Sequence, residues 1–136
     1  MPLLFVLLAT LLLASSVFLG AYGTHGLYEA GAAVAEVRAW DWANQIHVAH
    51  SLGLLAVGLM LRRSPEIVFY KVAGWLLIAG IAVFSGTIYM KLLGGPDLAP
   101  LTPYGGMALA VAWLSTAGSS PTARPAAIQA SQSGTV

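Results

Sequence analysis

Long stretches without a charged side chain constrain this sequence more than any other feature. Residues 3–22 carry no charge, and further apolar runs cover about residues 43–61, 67–93 and 102–117. A helix of about 20 apolar residues is long enough to cross the hydrocarbon core of a bilayer. The sequence therefore predicts an all-α membrane protein, a four-transmembrane-helix bundle in which residues 1–117 form a single membrane domain.

The composition supports a lipid environment and excludes several functions. Hydrophobic residues make up 58% of the 136 residues and charged residues only 8%, whereas about a quarter of a soluble domain is charged. The mean hydropathy is +0.81. A net charge of +1 with no basic run excludes nucleic acid as a partner, because nucleic-acid binding requires a clustered basic face. The absence of cysteine excludes disulfides, thiol nucleophiles and cysteine-ligated metal centres.

The segment between the first two spans, residues 27–42, has a different pattern. Its apolar residues recur at helical spacing, and its charged residues lie largely on the rest of the helical wheel. This pattern predicts a short interfacial helix between spans one and two. Trp40 and Trp42 follow at its end and suit an aromatic belt at the membrane surface.

Small residues predict where the helices bend and where they approach one another. Three glycines between Gly20 and Gly26 are expected to end or bend the first helix, or to admit a neighbouring backbone. Small residues one helical turn apart are expected at close helix contacts; the pairs include Ser16 with Gly20, Ala49 with Gly53, Ala82 with Gly86, and Gly106 with Ala110.

The two ends of the chain and its basic residues predict the topology. The first apolar run has no basic residue before it and exceeds the apolar core of a cleaved signal peptide, so we expect a retained span. Residues 118–136 are rich in Ser, Thr, Pro, Ala and Gln, which predicts a disordered polar tail. More basic residues flank one side of the four spans than the other, which favours cytoplasmic termini. Arg62, Arg63, Lys71 and Arg124 lie on the favoured side, and Arg38 and Lys91 lie on the other.

Polar side chains inside or beside the spans are expected to gather at one end of the bundle. Because successive spans run in opposite directions, the beginnings of spans two and four and the ends of spans one and three meet at the same membrane face. The polar cluster predicted at this extracytoplasmic end comprises His25, Asn44, His47, His50, Ser51, Ser85, Tyr89, Thr102 and Tyr104. Polar groups in lipid point into the bundle and pair there, so hydrogen bonds within this cluster would fix the register of the helices.

Two chemical roles for the histidines compete with that structural role. His47 and His50 share a helix face and could ligate a metal with His25, Glu36 or Asp41 as a third ligand. However, H-x-x-H without an intervening glutamate is a weak motif, and stable sites need three or four ligands; we therefore expect no metal and no cofactor. A proton relay or transport path is the other role, since ionisable groups within a membrane mark such paths.

A transport path and an enzyme both lack sequence support. No acidic residue lies inside a span, and the cytoplasmic halves of the spans are nearly bare of polar side chains. The chain contains no G-x-S-x-G nucleophile elbow and no phosphate-binding glycine loop. We therefore expect a protein without catalytic activity.

Four motifs in fixed order resemble one family of membrane proteins. They are Gly20-Ala-Tyr-Gly-Thr-His-Gly-Leu27, then Trp42-Ala with His50-Ser-Leu-Gly-Leu54, then Phe84-Ser-Gly-Thr-Ile-Tyr89, and Thr102-Pro-Tyr-Gly-Gly106 with Trp113. As an ordered set they are similar to the YgdD-like small integral membrane proteins, which carry a domain of unknown function. The resemblance covers nearly the whole chain from span one to span four. It implies a four-span protein of the inner or plasma membrane with no established activity.

The resemblance also distinguishes His47 from the other two histidines. His25, His50, Tyr89 and the Thr102-Pro103 corner match the family pattern, whereas His47 stands where the family usually has glutamine. We therefore expect an uncharacterised membrane protein with a structural, accessory or interaction role, whose partners beyond the lipid bilayer are further copies of itself or another membrane protein. The alternative is a transporter-like or small-ligand or metal-binding protein that uses His25 and His50.

Overall fold

A computed structural model describes residues 1–118, and regular structure in this part of the chain is entirely helical. The all-α prediction is therefore confirmed for these residues. Apart from Gly118, the predicted polar tail lies outside the described residues. In chain order the elements are α1 (Pro2–Ala21), a π-helical segment (Tyr22–Gly26), α2 (Leu27–Glu29), α3 (Val34–Arg63), α4 (Val68–Leu92), a 3-10 turn (Ala99–Leu101) and α5 (Thr102–Ala117).

The first helical run is longer than predicted. The glycines after α1 widen the helix into a π-helical turn, in which the Leu27 N–H bonds to Tyr22 O, and α2 continues it. The run from Pro2 to Glu29 therefore spans 28 residues; of the outcomes expected at the glycines, the helix is distorted there and does not end. Gly31, with φ of +72°, makes the turn towards α3, because this left-handed conformation is cheap only for glycine.

The predicted interfacial helix is not a separate element. Residues from Val34 onwards belong to α3, which has 30 residues and a length of about 45 Å at about 1.5 Å per residue. The Glu36 carboxylate accepts a hydrogen bond from the Ala33 N–H at 2.8 Å, which satisfies a donor that the first helical turn leaves free. No proline lies between Val34 and Arg63, so the helix continues into the second span without a break.

The last two long elements are joined by a glycine turn. Gly94 has φ of +84°, and the Gly95 N–H bonds to Met90 O at 2.9 Å, which is the bond of a Schellman motif. Within residues 1–118, three helical runs are long and apolar enough to cross a membrane: Pro2–Glu29, Val34–Arg63 and Val68–Leu92. The helix α5 has the bounds predicted for the fourth span, but its 16 residues fall short of the about 20 that cross a bilayer core.

The helices pack in sequence, α1 on α3, α3 on α4 and α4 on α5. At the end of the bundle near the α3–α4 turn, the ring of Phe5 lies over Gly74, and its Cβ would be 3.2 Å from a Cβ added at Gly58. The Gly105 backbone lies directly against Phe84. The prediction of a close contact at Gly86 is wrong, because a Cβ added there would meet nothing within 4 Å.

The outer surface of these helices is strongly apolar. Large hydrophobic side chains are exposed along each of the long elements, including Leu11, Val17, Phe18, Leu52, Val72 and Leu114. A soluble monomer rarely exposes so continuous an apolar surface, whereas lipid solvates it without cost. The fold therefore suits a bilayer as its environment.

Candidate functional site: an interhelical polar network

A hydrogen-bonded group of three side chains joins α3 to α4. The Tyr89 hydroxyl donates to Asn44 Oδ1 at 3.3 Å, and its oxygen lies 3.4 Å from His47 Nδ1. If Tyr89 donates its single hydroxyl proton to Asn44, the His47 tautomer that completes the chain carries its proton on Nδ1 and donates to the Tyr89 oxygen. The resulting chain runs from His47 through Tyr89 to Asn44 and ties the two helices together.

Two further hydrogen bonds, made by hydroxyl groups, link neighbouring helices at the same end. Ser85 Oγ donates to the backbone oxygen of Ala43 at 2.8 Å, again from α4 to α3, and both residues are buried. Thr87 and Thr102 share a hydrogen bond of 2.8 Å between their hydroxyls, which ties α4 to the first turn of α5. Three helices are therefore connected by side-chain hydrogen bonds within a few residues of one another.

Trp40 connects the same region to α1, and the sequence analysis did not predict this role. Its Nε1 donates to Leu19 O at 2.7 Å, and its ring packs against Tyr89 at 4.6 Å and Tyr22 at 5.3 Å between centroids. The indole fits because Gly23 has no side chain; a Cβ there would collide with it. Trp40 is fully buried, so its assignment to an aromatic belt is wrong, whereas Trp42 is 55% exposed.

The remaining predicted members of the cluster do not join this network. His50 Nδ1 bonds to Ile46 O at 2.7 Å, and its ring lies 6.0 Å from that of Trp113. Ser51 donates to His47 O within α3. His25 and Tyr104 are exposed, and neither takes part in the hydrogen bonds described for residues 1–118.

One polar atom in the network has no partner. His47 is 4% exposed, and its Nε2 is buried without a hydrogen bond. His47 lines a pocket of about 150 Å³ between α1 and α4, whose other lining residues are Leu12, Leu19, Ile81, Ala82, Ser85, Gly86 and Tyr89. Buried polar atoms are nearly always hydrogen-bonded in folded proteins, so this nitrogen is the least satisfied group of the site.

The described part of the chain, residues 1–118, contains no cluster of three or more His, Cys, Asp or Glu side chains placed to hold a metal ion. His47 and His50 have separate surroundings, one against Tyr89 and the other against Trp113. This arrangement gives the H-x-x-H pair no third ligand within that range.

A charged pair lies just outside the membrane-spanning part, in the connection between α4 and α5. Lys91 Nζ donates to Asp97 Oδ2 at 2.8 Å, and the Ala99 N–H bonds to Asp97 Oδ1 at 3.0 Å. The hydrogen bond from Lys91, followed by that from Ala99, holds the pKa of the Asp97 carboxyl below its usual value. Both side chains of the pair are about half exposed, so the pair positions the loop more than it stabilises the fold.

Comparisons with known proteins agree with the expected resemblance. A family model described as a protein of unknown function, DUF423, matches residues 19–106. The UPF0382 membrane protein YwdK of Bacillus subtilis is 34% identical over 111 residues, which cover 81% of this chain and 89% of that protein. A UPF0382 membrane protein of Staphylococcus epidermidis is 36% identical over 111 residues, with 81% and 88% covered.

The similarity extends beyond bacteria. A UPF0382 membrane protein of Schizosaccharomyces pombe is 38% identical over 104 residues, which cover 72% of this chain and 85% of the relative. No solved structure matches the chain. The family expected from the ordered motifs is thus confirmed, and the chain belongs to the DUF423 family of membrane proteins of unknown function.

Proposed function

We propose that this protein is a non-enzymatic, multi-pass protein of the cell inner or plasma membrane with an accessory or interaction role. In this role the polar network holds the helices in one arrangement, and the outer faces of that arrangement contact a second copy or another membrane protein. The observation that carries the proposal is the set of side-chain hydrogen bonds that join α3 to α1, α4 to α3 and α4 to α5 at one end of the bundle.

The chemistry of the network supports a structural role. Its hydroxyl and indole protons are donated to neighbouring oxygens, as in Trp40 to Leu19 O and Ser85 to Ala43 O. Such bonds between membrane helices contribute about 0.6 kcal/mol each on average. Several of them together stabilise one register of the helices against sliding and rotation.

The other half of the bundle argues against a transport path. It is filled by an apolar cluster that includes Phe5, Leu54, Leu61 and Leu77, all fully buried. A path for protons or polar solutes needs polar groups or water along its length. The network is therefore proposed to end within the membrane instead of opening to both sides.

The topology proposed is four spans with both termini in the cytoplasm. The 3-10 turn Ala99–Leu101 leads directly into α5, and the two together extend roughly 30 Å at about 2.0 and 1.5 Å per residue. This length matches a hydrocarbon core of about 30 Å. Arg62 and Arg63 at the end of α3 favour the cytoplasmic face for the α3–α4 turn.

Cysteine accessibility tests this topology, because the chain has no cysteine of its own. A membrane-impermeant maleimide added to intact cells should label Ala99→Cys and leave Ser64→Cys unlabelled until the membrane is opened. Labelling of Ser64→Cys alone would reverse the orientation. Labelling of both in intact cells would remove one of the proposed crossings.

Photo-crosslinking in native membranes tests the interaction role. A photoreactive amino acid at the exposed positions Phe18, Leu52 and Leu114 should give a discrete protein adduct from at least one helix face. The matched control is Leu54, which is fully buried two residues from Leu52 and should give none. If every exposed position yields lipid adducts alone, the interaction role is wrong. A second measurement tests the alternative: a proton flux through liposomes that contain the protein, above that of empty liposomes, would indicate transport.

A further inference from the structure

The unpartnered nitrogen of His47 marks a binding site beside the network. His47 lines the pocket between α1 and α4, and its Nε2 has no hydrogen-bond partner although the residue is almost completely buried. We propose that this pocket binds the hydroxyl group of a neutral, lipid-soluble alcohol, with His47 Nε2 as the acceptor. The alcohol's carbon chain would lie between α1 and α4.

The hydrogen-bond directions select a donor as the ligand group. In the proposed site the Tyr89 hydroxyl donates to Asn44, and the His47 tautomer with its proton on Nδ1 donates to the Tyr89 oxygen 3.4 Å away. A neutral imidazole carries one proton, so Nε2 is left with a lone pair and accepts. Ser85 also lines the pocket, and its proton is already donated to Ala43 O, so the pocket walls offer lone pairs and no free side-chain proton.

The pocket walls also select against charge. None of the residues that line the pocket is acidic or carries a fixed positive charge. Transferring an unpaired charge into such surroundings costs several kcal/mol, whereas a hydroxyl needs only one good acceptor. A neutral alcohol therefore fits better than a phosphate, a carboxylate or an ammonium group.

The position of the pocket indicates entry from the lipid. His47 lies about 24 Å from Arg63 along α3, at about 1.5 Å per residue, so in a core of about 30 Å it is near the opposite face. Between Leu12 and Leu19 the pocket extends about 10 Å along α1. Its polar residues Ser85 and Tyr89 lie towards that face, and its apolar residues Leu12 and Ile81 towards the middle of the membrane, which is the orientation of a lipid in that leaflet.

Binding requires a small movement of the pocket wall. Nε2 is covered in the ligand-free structure, so a side chain such as Leu12 or Leu19 must change rotamer before a hydroxyl reaches it. Rotamer changes of this kind occur within nanoseconds at exposed positions. Gly86 leaves the space that an occupant needs, since a Cβ added there would meet nothing within 4 Å.

Nitrogen NMR of the full chain in detergent micelles tests the proposal, because the protein has only three histidines. Histidine labelled with ¹⁵N is observed during titration with 1-decanol and, in parallel, with decyl methyl ether, which has a similar chain and no donor. The His47 resonances are assigned by their loss in His47→Gln. We expect the Nε2 resonance to shift with the alcohol and not with the ether, while His25 and His50 stay unchanged.

Pocket-filling variants provide the controls. Gly86→Leu should abolish the shift, and Ala82→Leu serves as a second blocking variant if the first fails to fold. Ala110→Leu, at an exposed position of α5 outside the pocket lining, should keep the response. The proposal is wrong if alcohol and ether shift the resonance equally, or if the response survives both blocking variants. It is also wrong if Nε2 is protonated before any probe is added, or if Nε2 is bonded to water that neither probe displaces.

Discussion

Replacing Trp40 should cost far more stability than replacing Trp42, although the two residues are neighbours on one helix. Trp40 is fully buried, donates to Leu19 O at 2.7 Å and packs against two tyrosine rings. A hydrogen bond contributes about 1 kcal/mol, and each aromatic pair about 0.5 to 1.5 kcal/mol. Trp40→Ala should therefore lower the free energy of unfolding by about 3 kcal/mol, with any cavity term adding to this.

A second variant separates the hydrogen bond from the packing. Trp40→Phe keeps a ring between Tyr22 and Tyr89 and loses only the donor, and Leu19 O keeps its bond from the Tyr22 N–H. We therefore expect a loss of about 1 kcal/mol. Trp42→Ala, at an exposed position, should change the stability by less than about 0.5 kcal/mol.

Reversible unfolding in mixed detergent micelles, followed by circular dichroism, measures all three variants against the unmodified chain. Helix content before unfolding confirms that each variant is folded at the start. The reasoning fails if Trp42→Ala is as costly as Trp40→Ala, because that result would place both indoles in equivalent surroundings. It also fails if Trp40→Phe and Trp40→Ala are equally destabilising, because the ring contacts would then contribute nothing.

Of three further predictions, the two that measure unfolding share one control, Gly86→Ala, which adds a methyl group in open space and should not lower the stability, because alanine favours a helix over glycine by about 1 kcal/mol. Ser85→Ala removes the buried bond between α4 and α3 and should lower the unfolding free energy by about 0.6 to 1.7 kcal/mol; no loss would mean that the bond does not stabilise the bundle. Gly105→Ala places a Cβ against the α4 backbone and should cost about 1 to 3 kcal/mol in the same assay, and an unchanged stability would contradict the close approach of α5. The pKa of Asp97, lowered mainly by the Lys91 hydrogen bond, should rise in Lys91→Gln when followed by carboxyl carbon NMR. Since the folded pKa lies below the unfolded one, the loop contact is present above the unfolded pKa and lost as the pH falls through the folded value; an unshifted carboxyl in Lys91→Gln would refute the pairing.

The long apolar helices could be predicted from the sequence because bilayer thickness sets their length. The start of α3 could not be predicted, because the pattern of residues 27–42 fits a helix that lies on the membrane surface as well as a helix that enters the membrane. What distinguishes the two is a break in the backbone, and the break occurs at Gly31 instead of near Trp42. Nothing between Val34 and Trp42 stops a helix, so residues 34–42 form one continuous helix with the second span.

The spacing of the two tryptophans contained information that the aromatic-belt interpretation ignored. Residues two apart on a helix are rotated by about 200° around its axis and point to nearly opposite sides. Trp40 and Trp42 therefore cannot both face lipid. Which of them faces inward depends on Gly23, whose missing side chain admits the Trp40 indole. This contact joins residues on two helices, and its pairing cannot be derived from either segment alone.

The polar residues of the network were identifiable from their position in the spans, but their partners were not. Alternating span directions place Asn44, Ser85 and Tyr89 at one end. Whether a hydroxyl bonds across to another helix, as Ser85 does, or back onto its own, as Ser51 does, depends on helix rotation. Of the glycines that the sequence pattern indicated, Gly20 and Gly53 do lie close to side chains of other helices. Between α4 and α5, however, the closest contacts are at Gly80 and Gly105 and not at Gly86 and Gly106.

Two different forces hold the two ends of this bundle, and the difference explains where a ligand site is possible. Apolar surface gains nothing by leaving lipid for another helix, so membrane helices associate through close packing and hydrogen bonds. At the α3–α4 turn the Phe5 ring lies directly over Gly74, and the fully buried side chains of Leu54, Leu61 and Leu77 pack in the same apolar cluster. At the other end Trp40, Tyr89 and Ser85 bridge the helices with hydrogen bonds. The pocket of about 150 Å³ and the unpaired His47 nitrogen lie beside these hydrogen bonds, so a polar ligand group has an acceptor there that the apolar cluster does not offer.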